Sequence, residues 1–138
     1  GRTKFIPGDK GSWILDDTYN ACPDSVLAAL DLIKKIKAKR RIAILGDMKE
    51  LGDFSKQAHE LIGEAVSESV DIFIAVGEEM ALAKDVVIEI NSKVEVFWFE
   101  NSDEAKKSVK KVIQKGDLIL IKGSRAMEME KITKEIVT

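Results

Sequence analysis

Short apolar runs alternate along the chain with longer segments in which apolar residues recur every three or four positions. Residues 41–46, 72–77 and 117–123 are nearly continuous apolar runs, typical of strands covered on both faces. The β-branched and aromatic residues at positions 94–99 also predict a strand. Helical spacing predicts helices over residues 24–38, from Ser55 to about 66, over 78–88, from Asn101 or Ser102 to about 114, and from about Ala126 onward. Ser55 is a predicted N-cap of the second helix, and Asn101 or Ser102 of the fourth.

Two shorter extended runs open the chain. Residues 2–6 and 13–15 are joined by Pro and Gly residues at 7–11, a pattern that predicts a hairpin. Strands that alternate with helices form right-handed βαβ units with a parallel sheet. We therefore expect one α/β domain over residues 1–138. The predicted fold is Rossmann-like and three-layered, with about six mostly parallel strands and an antiparallel N-terminal edge strand.

Polar loops follow the predicted strands, at residues 16–20, 47–50 and 122–125. The carboxyl ends of parallel strands lie along one edge of a sheet, and ligands of open α/β folds bind in the crevice outside that edge. Function is therefore expected at the edge that these three loops share.

The loop after residues 13–15 gathers two carboxylates, a phenol ring and an amide. Asp17 can accept hydrogen bonds from ribose hydroxyls, while Tyr19 offers a stacking face and Asn20 a bidentate amide. These three residues are candidate nucleotide-binding residues. Asp16 is equally consistent with a structural role in the turn.

Residues 122–125 follow the most uniformly apolar strand and open the last predicted helix. Backbone N–H groups at a helix start favour anions, and Arg125 can grip a carboxylate with two hydrogen bonds. The alternative is an ordinary turn with solvated charges. Two cations beside a helix start favour an anion site made of Lys122, Gly123, Ser124 and Arg125.

Composition excludes several classes of function. The net charge is −2, from 22 basic and 24 acidic residues, which gives no electrostatic case for nucleic acid or a membrane surface. The single cysteine, Cys22, cannot form an internal disulfide, and a small buried side chain is expected there. With no secretory segment and no apolar run near the roughly 20 residues of a membrane span, a cytoplasmic protein is expected.

The chain lacks the usual phosphate and zinc motifs. It contains neither a Walker A loop nor a Gly-x-Gly-x-x-Gly fingerprint, so most of the grip on any nucleotide phosphate must come from elsewhere. One histidine, His59, and one cysteine do not make a zinc cluster, so no metal site is assigned. His59 is predicted to have a structural role at a surface or half-buried position.

Three segments together resemble the C-terminal domain of the Mur ligases, closest to the branch that adds D-alanyl-D-alanine. They are residues 16–25 (DDTYNACPDS), 45–52 (LGDMKELG) and 122–127 (KGSRAM), followed by Met129 and Glu130. The sequence departs from the family pattern at Cys22, where Asn is expected, and at Thr18 and Ala126, which are often Ser and Gly.

The resemblance implies a three-domain ligase of which this chain is the third domain. The N-terminal domain would hold UDP-MurNAc-tripeptide, and the central domain would carry the P-loop and bind ATP and Mg²⁺. The reaction would run through an acyl phosphate that the amine of D-Ala-D-Ala attacks. The partners implied are these substrates and the two absent domains, with no nucleic acid and no membrane insertion. No catalytic residue is assigned to this chain, which is expected to be inactive alone.

The resemblance also assigns roles to individual residues. Arg2 resembles the arginine at the junction with the central domain that reaches ATP, and Asp17 resembles the ribose-binding carboxylate, with Tyr19 and Asn20 beside the nucleotide. The segment 122–125 resembles the region that meets the dipeptide, including its terminal carboxylate. The substrate-binding candidates are Asp47, Glu50, Lys122, Gly123, Ser124 and Arg125.

Two kinds of alternative stay open. One is another Mur ligase or a folylpolyglutamate synthase. The other is a receiver-like signalling module, which also places an acidic pair after one strand and a lysine after the last. A receiver needs a phosphoacceptor aspartate after its central strand, where this chain has Gly77 and Glu78. A plain dinucleotide-binding module is weaker still without its glycine fingerprint.

Overall fold

The computed structural model describes residues 4–138, which form a twisted sheet with helices on both faces. The strands are β1 (Lys4–Pro7), β2 (Trp13–Asp17), β3 (Arg40–Gly46), β4 (Ile72–Val76), β5 (Glu95–Phe99) and β6 (Asp117–Lys122). The helices are α1 (Pro23–Lys35), α2 (Ser55–Ser69), α3 (Met80–Ile90), α4 (Ser102–Val112) and α5 (Glu130–Ile136). Short 3₁₀ turns span Asp9–Gly11, Gly52–Phe54 and Arg125–Met127.

The strand order is β1-β2-β6-β3-β4-β5. β1 pairs antiparallel with β2, and the other neighbours are parallel. The predicted six-stranded, mostly parallel α/β fold with an antiparallel N-terminal edge strand is confirmed. β6 lies between β2 and β3, so the end of the chain brings residues 122–125 beside the loop that follows β2.

Each face of the sheet has its own apolar core, because side chains alternate between the faces along each strand. One core combines strand residues such as Leu15 and Leu45 with α1, α2 and α3. The other combines residues such as Ile14 and Ile44 with α4 and α5. Within residues 4–138, no helix is both long and apolar enough to cross a membrane.

The helix starts agree only in part with the sequence predictions. Asn101 caps α4 as predicted, since its side-chain oxygen accepts a hydrogen bond from the Glu104 N–H at 2.9 Å. Ser55 does not cap α2, because its hydroxyl donates instead to Glu79 Oε1 at 2.8 Å. Ser55, which the sequence pattern predicted to be a helix cap, therefore links α2 to the start of α3.

The last helix begins at Glu130, later than the predicted start near Ala126. A 3₁₀ turn covers Arg125–Met127, and Glu128 then adopts a left-handed conformation with φ 52°, which an α-helix cannot include. Residues 122–125 consequently precede a 3₁₀ turn rather than the first turn of α5. The N–H groups at the start of α5 therefore lie beyond residues 122–125, and the anion site at these residues stays a prediction.

Candidate functional site

A cavity of about 530 Å³ opens at the carboxyl edge of the sheet, beside the hairpin. It combines two cations with three carboxylates. Its lining residues are Lys4, Asp16, Thr18, Tyr19, Arg125, Glu128 and Glu130. Sequence reasoning missed Lys4, which the antiparallel register places directly opposite Asp16. Aligning the two strands of the predicted hairpin would have found it.

The two neighbouring carboxylates point to opposite faces of the sheet, as alternation along a strand requires. Asp16 lines the cavity, and its Oδ1 is buried without a hydrogen-bond partner among the described residues. Asp17 is buried on the other face, where its Oδ2 lies 2.6 Å from Lys122 Nζ. The carboxylate that faces the cavity is therefore Asp16, while the nucleotide role of Asp17 stays a prediction.

Lys122 holds the loop that follows β2. Its side chain is 3% exposed, and Nζ donates to Asp17 Oδ2 at 2.6 Å and to the Asn20 carbonyl at 3.0 Å. The Asn20 side-chain oxygen accepts a hydrogen bond from the Ala21 N–H at 2.8 Å. The Lys122 ammonium and the Asn20 side-chain oxygen thus already make hydrogen bonds within the loop. Their roles in ligand binding stay predictions.

Arg125 and Tyr19 connect the segment that follows β6 with the loop that follows β2, and both residues line the cavity. The Arg125 guanidinium lies 5.0 Å from the centre of the Tyr19 ring, a distance that permits a cation–π interaction. Tyr19 is 52% exposed, so much of its surface remains open to a ligand. Tyr19, the candidate for stacking on a nucleotide, and Arg125, the candidate for binding a carboxylate, are therefore in direct contact.

Asp47 links three elements at the same edge. Its carboxylate accepts a hydrogen bond from the Met80 N–H at 2.7 Å, at the start of α3. Its backbone carbonyl accepts one from the Ser124 N–H at 3.0 Å, and Ser124 Oγ accepts one from the Lys49 N–H at 2.7 Å. Asp47 is 1% exposed and Ser124 is 5% exposed. Both residues are buried and hydrogen-bond to the backbone of the loops at this edge. Their contacts with substrate stay predictions.

The other two substrate-binding candidates differ in exposure. Glu50 is exposed at the carboxyl edge in a left-handed conformation with φ 64°. Gly123 is buried, and a Cβ atom there would lie 2.7 Å from Met129 Cγ. Only glycine fits this close packing, so Gly123 shapes the loop.

His59 is fully buried, so its predicted surface or half-buried position was wrong. Its Nε2 accepts a hydrogen bond from the Met48 N–H at 3.1 Å, and its Nδ1 donates to the Ser55 carbonyl at 2.7 Å. Both ring nitrogens are used in this neutral tautomer. His59 therefore fixes the 47–49 loop onto α2.

His59, Asp47 and Glu79 bring possible metal-ligand atoms within 4.8 Å of one another. The Lys49 ammonium lies between the two carboxylates, 3.2 Å from Asp47 Oδ2 and 3.5 Å from Glu79 Oε2. Burial lowers the pKa of Lys49, but the hydrogen bond and charge of Asp47, with Glu79, outweigh this effect and leave the pKa raised. The cation of this cluster is thus a lysine of the chain.

Two further predictions concern the ends of the site. Cys22 is exposed, so its predicted burial was wrong. Hydrogen bonds from the side chain and backbone of Ser25 lower the pKa of the Cys22 thiol. Arg2, the predicted ATP contact, lies outside the described residues.

With the fold and the site in place, comparison with known proteins identifies the family. The family described as "Mur ligase, glutamate ligase domain" matches residues 1–125. The chain belongs to this Mur ligase domain family. The resemblance of residues 16–25, 45–52 and 122–127 to the Mur ligases is confirmed.

Two curated relatives of this Mur ligase domain share one description. The UDP-N-acetylmuramoyl-tripeptide–D-alanyl-D-alanine ligase of Bacillus subtilis is 33% identical over 138 residues, covering 99% of this chain and 30% of that protein. The enzyme of the same name from Haemophilus influenzae is 36% identical over 127 residues, covering 86% and 26% respectively. The chain therefore spans less than a third of the length of these relatives.

Solved structures give the same relationship. The MurF ligase of Thermotoga maritima in complex with ADP has a TM-score of 0.77 at 29% identity, covering 98% of this chain and 30% of that one. A MurF structure from Acinetobacter baumannii has a TM-score of 0.85 at 30% identity, covering 97% and 30%. The Mur ligase domain thus resembles about a third of each larger structure.

Proposed function

We propose that this chain is the C-terminal domain of an ATP-dependent peptidoglycan-precursor ligase that joins D-Ala-D-Ala to UDP-MurNAc-tripeptide. Membership of the Mur ligase domain family and the names of the relatives support this proposal. The remaining domains of such a ligase would supply the tripeptide and the phosphate site, and the whole enzyme would act in the cytoplasm.

The observation that carries the proposal is the mixed charge of the 530 Å³ cavity. A dipeptide is a zwitterion, and the cavity offers cations for its carboxylate and carboxylates for its ammonium. Arg125 would bind the terminal carboxylate in the bidentate manner that its guanidinium permits. Asp16 would hold the ammonium, since its side chain lines the same cavity as Arg125.

In the proposed reaction, ATP converts the tripeptide carboxylate into an acyl phosphate. The dipeptide ammonium gives up a proton to solvent, and the resulting amine forms the new C–N bond at the acyl carbon. The C–O bond to the leaving phosphate breaks, and the second N–H proton passes to that phosphate or to solvent. The role of this chain is to present that amine at a fixed position, since orientation of two reactants supplies much of the rate enhancement of such a transfer.

Tyr19, Asp17, Asn20 and Arg2 would form a wall of the nucleotide site. The exposed ring of Tyr19 can stack on a base, and Asp17 ends the strand that leads into the Tyr19 loop. Arg125 contacts the Tyr19 ring, so the proposed nucleotide and dipeptide contacts are adjacent.

The described residues do not fit a magnesium site. The Lys49 ammonium forms ion pairs with Asp47 and Glu79. The carboxylates of the cavity share its lining with Lys4 and Arg125. Hard cations require several free oxygen ligands. We therefore assign Mg²⁺ and the triphosphate to the rest of the longer enzyme.

An NMR titration of the ¹⁵N-labelled chain tests the proposal. We expect D-Ala-D-Ala to shift the amide signals of Thr18, Tyr19 and Arg125, and D-Ala alone to shift them less. Preference for a single amino acid would instead favour another Mur ligase or folylpolyglutamate synthase. Stoichiometric labelling by acetyl phosphate with Mg²⁺ would favour a receiver-like module and overturn the proposal.

A further inference from the structure

The hairpin exposes two aromatic rings beside the end of α1, away from the cavity. Phe5 is 48% exposed and Trp13 is 53% exposed. They border a shallow groove of about 140 Å³ that also includes Ile36, Ala38 and Leu118. Trp13 begins β2, whereas the cavity lies where β2 ends. The groove is therefore on the amino-end side of the sheet.

One lysine lines this groove, and three more lie on the neighbouring elements at the same edge of the sheet. Lys37 lines it directly. Lys39 packs against Gly116, where an added Cβ would lie 2.9 Å from Lys39 Cδ, and Gly116 also lines the groove. Lys115 lies against Gly11 of the hairpin turn. Lys10, next to Gly11, reaches the Lys110 and Ile113 carbonyls at the end of α4, 3.3 Å from each.

These four lysines are exposed, and no ion pair within residues 4–138 includes any of them. The nearby carboxylate of Asp117 is buried and neutralised by Arg40, with 2.7 Å between Oδ2 and Nη2. Counting Asp9, which precedes Lys10 in the hairpin turn, the four lysines leave a local excess of three positive charges. A net charge of −2 for the whole chain averages over this separation of charge.

We propose that Phe5, Trp13, Lys10, Lys37, Lys39 and Lys115, here called the amino-edge patch, bind the surface of an anionic lipid bilayer. Aromatic rings settle at the level of lipid headgroups, and flexible lysines are attracted by negative surface potential. Protein interfaces, in contrast, are depleted in lysine and enriched in arginine. The composition of the patch favours a bilayer over an acidic protein.

The position of the patch is compatible with the proposed ligase. The cavity is built at the carboxyl ends of β2 and β6, and the patch at their amino ends. A domain attached to a bilayer through the patch would keep the cavity accessible. The attachment is peripheral, because no helix among the described residues can span a membrane.

Sedimentation of the 138-residue chain with lipid vesicles provides the first test. We expect binding to vesicles of equal parts phosphatidylglycerol and phosphatidylcholine, little binding to pure phosphatidylcholine, and release by high salt. The variant K37Q/K39Q should bind about 25-fold more weakly, at roughly fivefold for each lysine. The control K56Q/K93Q removes the same charge at exposed sites outside the patch and should retain most of the binding.

Tryptophan fluorescence provides the second test. In W98F, Trp13 is the remaining tryptophan, and its emission should shift to the blue with anionic vesicles. If W98F does not fold, quenching of the unmodified chain by brominated lipid, compared with W13F, gives the same information.

Absence of binding to anionic vesicles at low salt would overturn the proposal, as would equal weakening by both lysine variants. Binding of poly-glutamate as tight as that of vesicles, with no change at Trp13, would assign the patch to acidic proteins instead.

The dipeptide titration is independent of this test, because its reporters lie at the opposite edge. If K37Q/K39Q loses vesicle binding and keeps the response to D-Ala-D-Ala, the two surfaces are separate, as proposed. If vesicle binding instead depends on Arg125 and not on the lysines, the amino-edge patch is not the lipid surface.

Discussion

Lys122 Nζ lies 2.6 Å from Asp17 Oδ2, and the two side chains are 3% and 11% exposed. Strands β2 and β6 place these residues directly opposite each other in parallel register. A buried charge that loses its partner remains desolvated without compensation. The pair therefore fixes the loop that carries Tyr19 to the strand that leads to Arg125.

Removal of one partner should be far more costly than removal of both. Lys122→Met should lower the free energy of unfolding by about 3–5 kcal/mol, because Asp17 is left buried and charged. The double variant Asp17→Asn, Lys122→Met should recover much of that loss. Urea unfolding of the four proteins in the cycle measures this. A loss below about 1 kcal/mol for Lys122→Met would show that the pair is solvated.

The pattern of apolar residues was sufficient to predict the six strands and the five helices. It also placed residues 16–20, 47–50 and 122–125 on one edge, because that conclusion needs only parallel strands. Asn101 or Ser102 was predicted as a cap from its position, and the structure shows that Asn101 has this role.

The partners of the buried polar groups could not be predicted in this way. Asp17 meets Lys122 because β6 inserts beside β2, a pairing across 105 positions of sequence that local periodicity does not contain. The burial of His59 depends similarly on the path of the 47–49 loop. Strand alternation, in contrast, could have predicted that Asp16 and Asp17 point to opposite faces.

Arg125 should contribute to dipeptide binding through both its charge and its shape. Arg125→Lys keeps the charge but loses the planar fork, so D-Ala-D-Ala should bind roughly tenfold more weakly or worse. Lys134→Arg, at an exposed position on α5, is the matched control and should bind normally. Calorimetry or NMR titration gives the affinities. Equal affinity in Arg125→Lys would remove Arg125 from the proposed carboxylate site.

The chain should not turn over Mg-ATP by itself. It has no Walker A loop, and the carboxylates of Asp47 and Glu79, which could otherwise hold a cation, already flank the Lys49 ammonium. Phosphate release with and without D-Ala-D-Ala should equal the protein-free background. Turnover that co-purifies with the chain and is lost in Arg125→Ala would contradict the proposed division of the ligase into domains.

Cys22 should react with alkylating agents at a lower pH than an ordinary thiol. The reactive species is the thiolate, and hydrogen bonds from Ser25 lower the pKa of Cys22. Ser25→Ala should therefore move the midpoint of the rate against pH to higher pH, whereas Ser92→Ala, at an exposed position elsewhere, should not. Iodoacetamide rates across pH measure both. An unchanged midpoint in Ser25→Ala would mean that Ser25 does not stabilise the thiolate.

His59 should control the order of the 47–49 loop. His59→Phe removes the acceptor of the Met48 N–H and leaves a buried donor unpaired, which should cost about 1–3 kcal/mol of stability. Amide hydrogen exchange at Met48 and Lys49 should accelerate more than exchange in the core strands. Ile62→Val, one turn further along α2, is the control: it removes a buried methyl group and contacts neither nitrogen of His59. If both variants accelerate exchange uniformly, His59 only fills the core, and the loop is held by Asp47 and Ser124 without it.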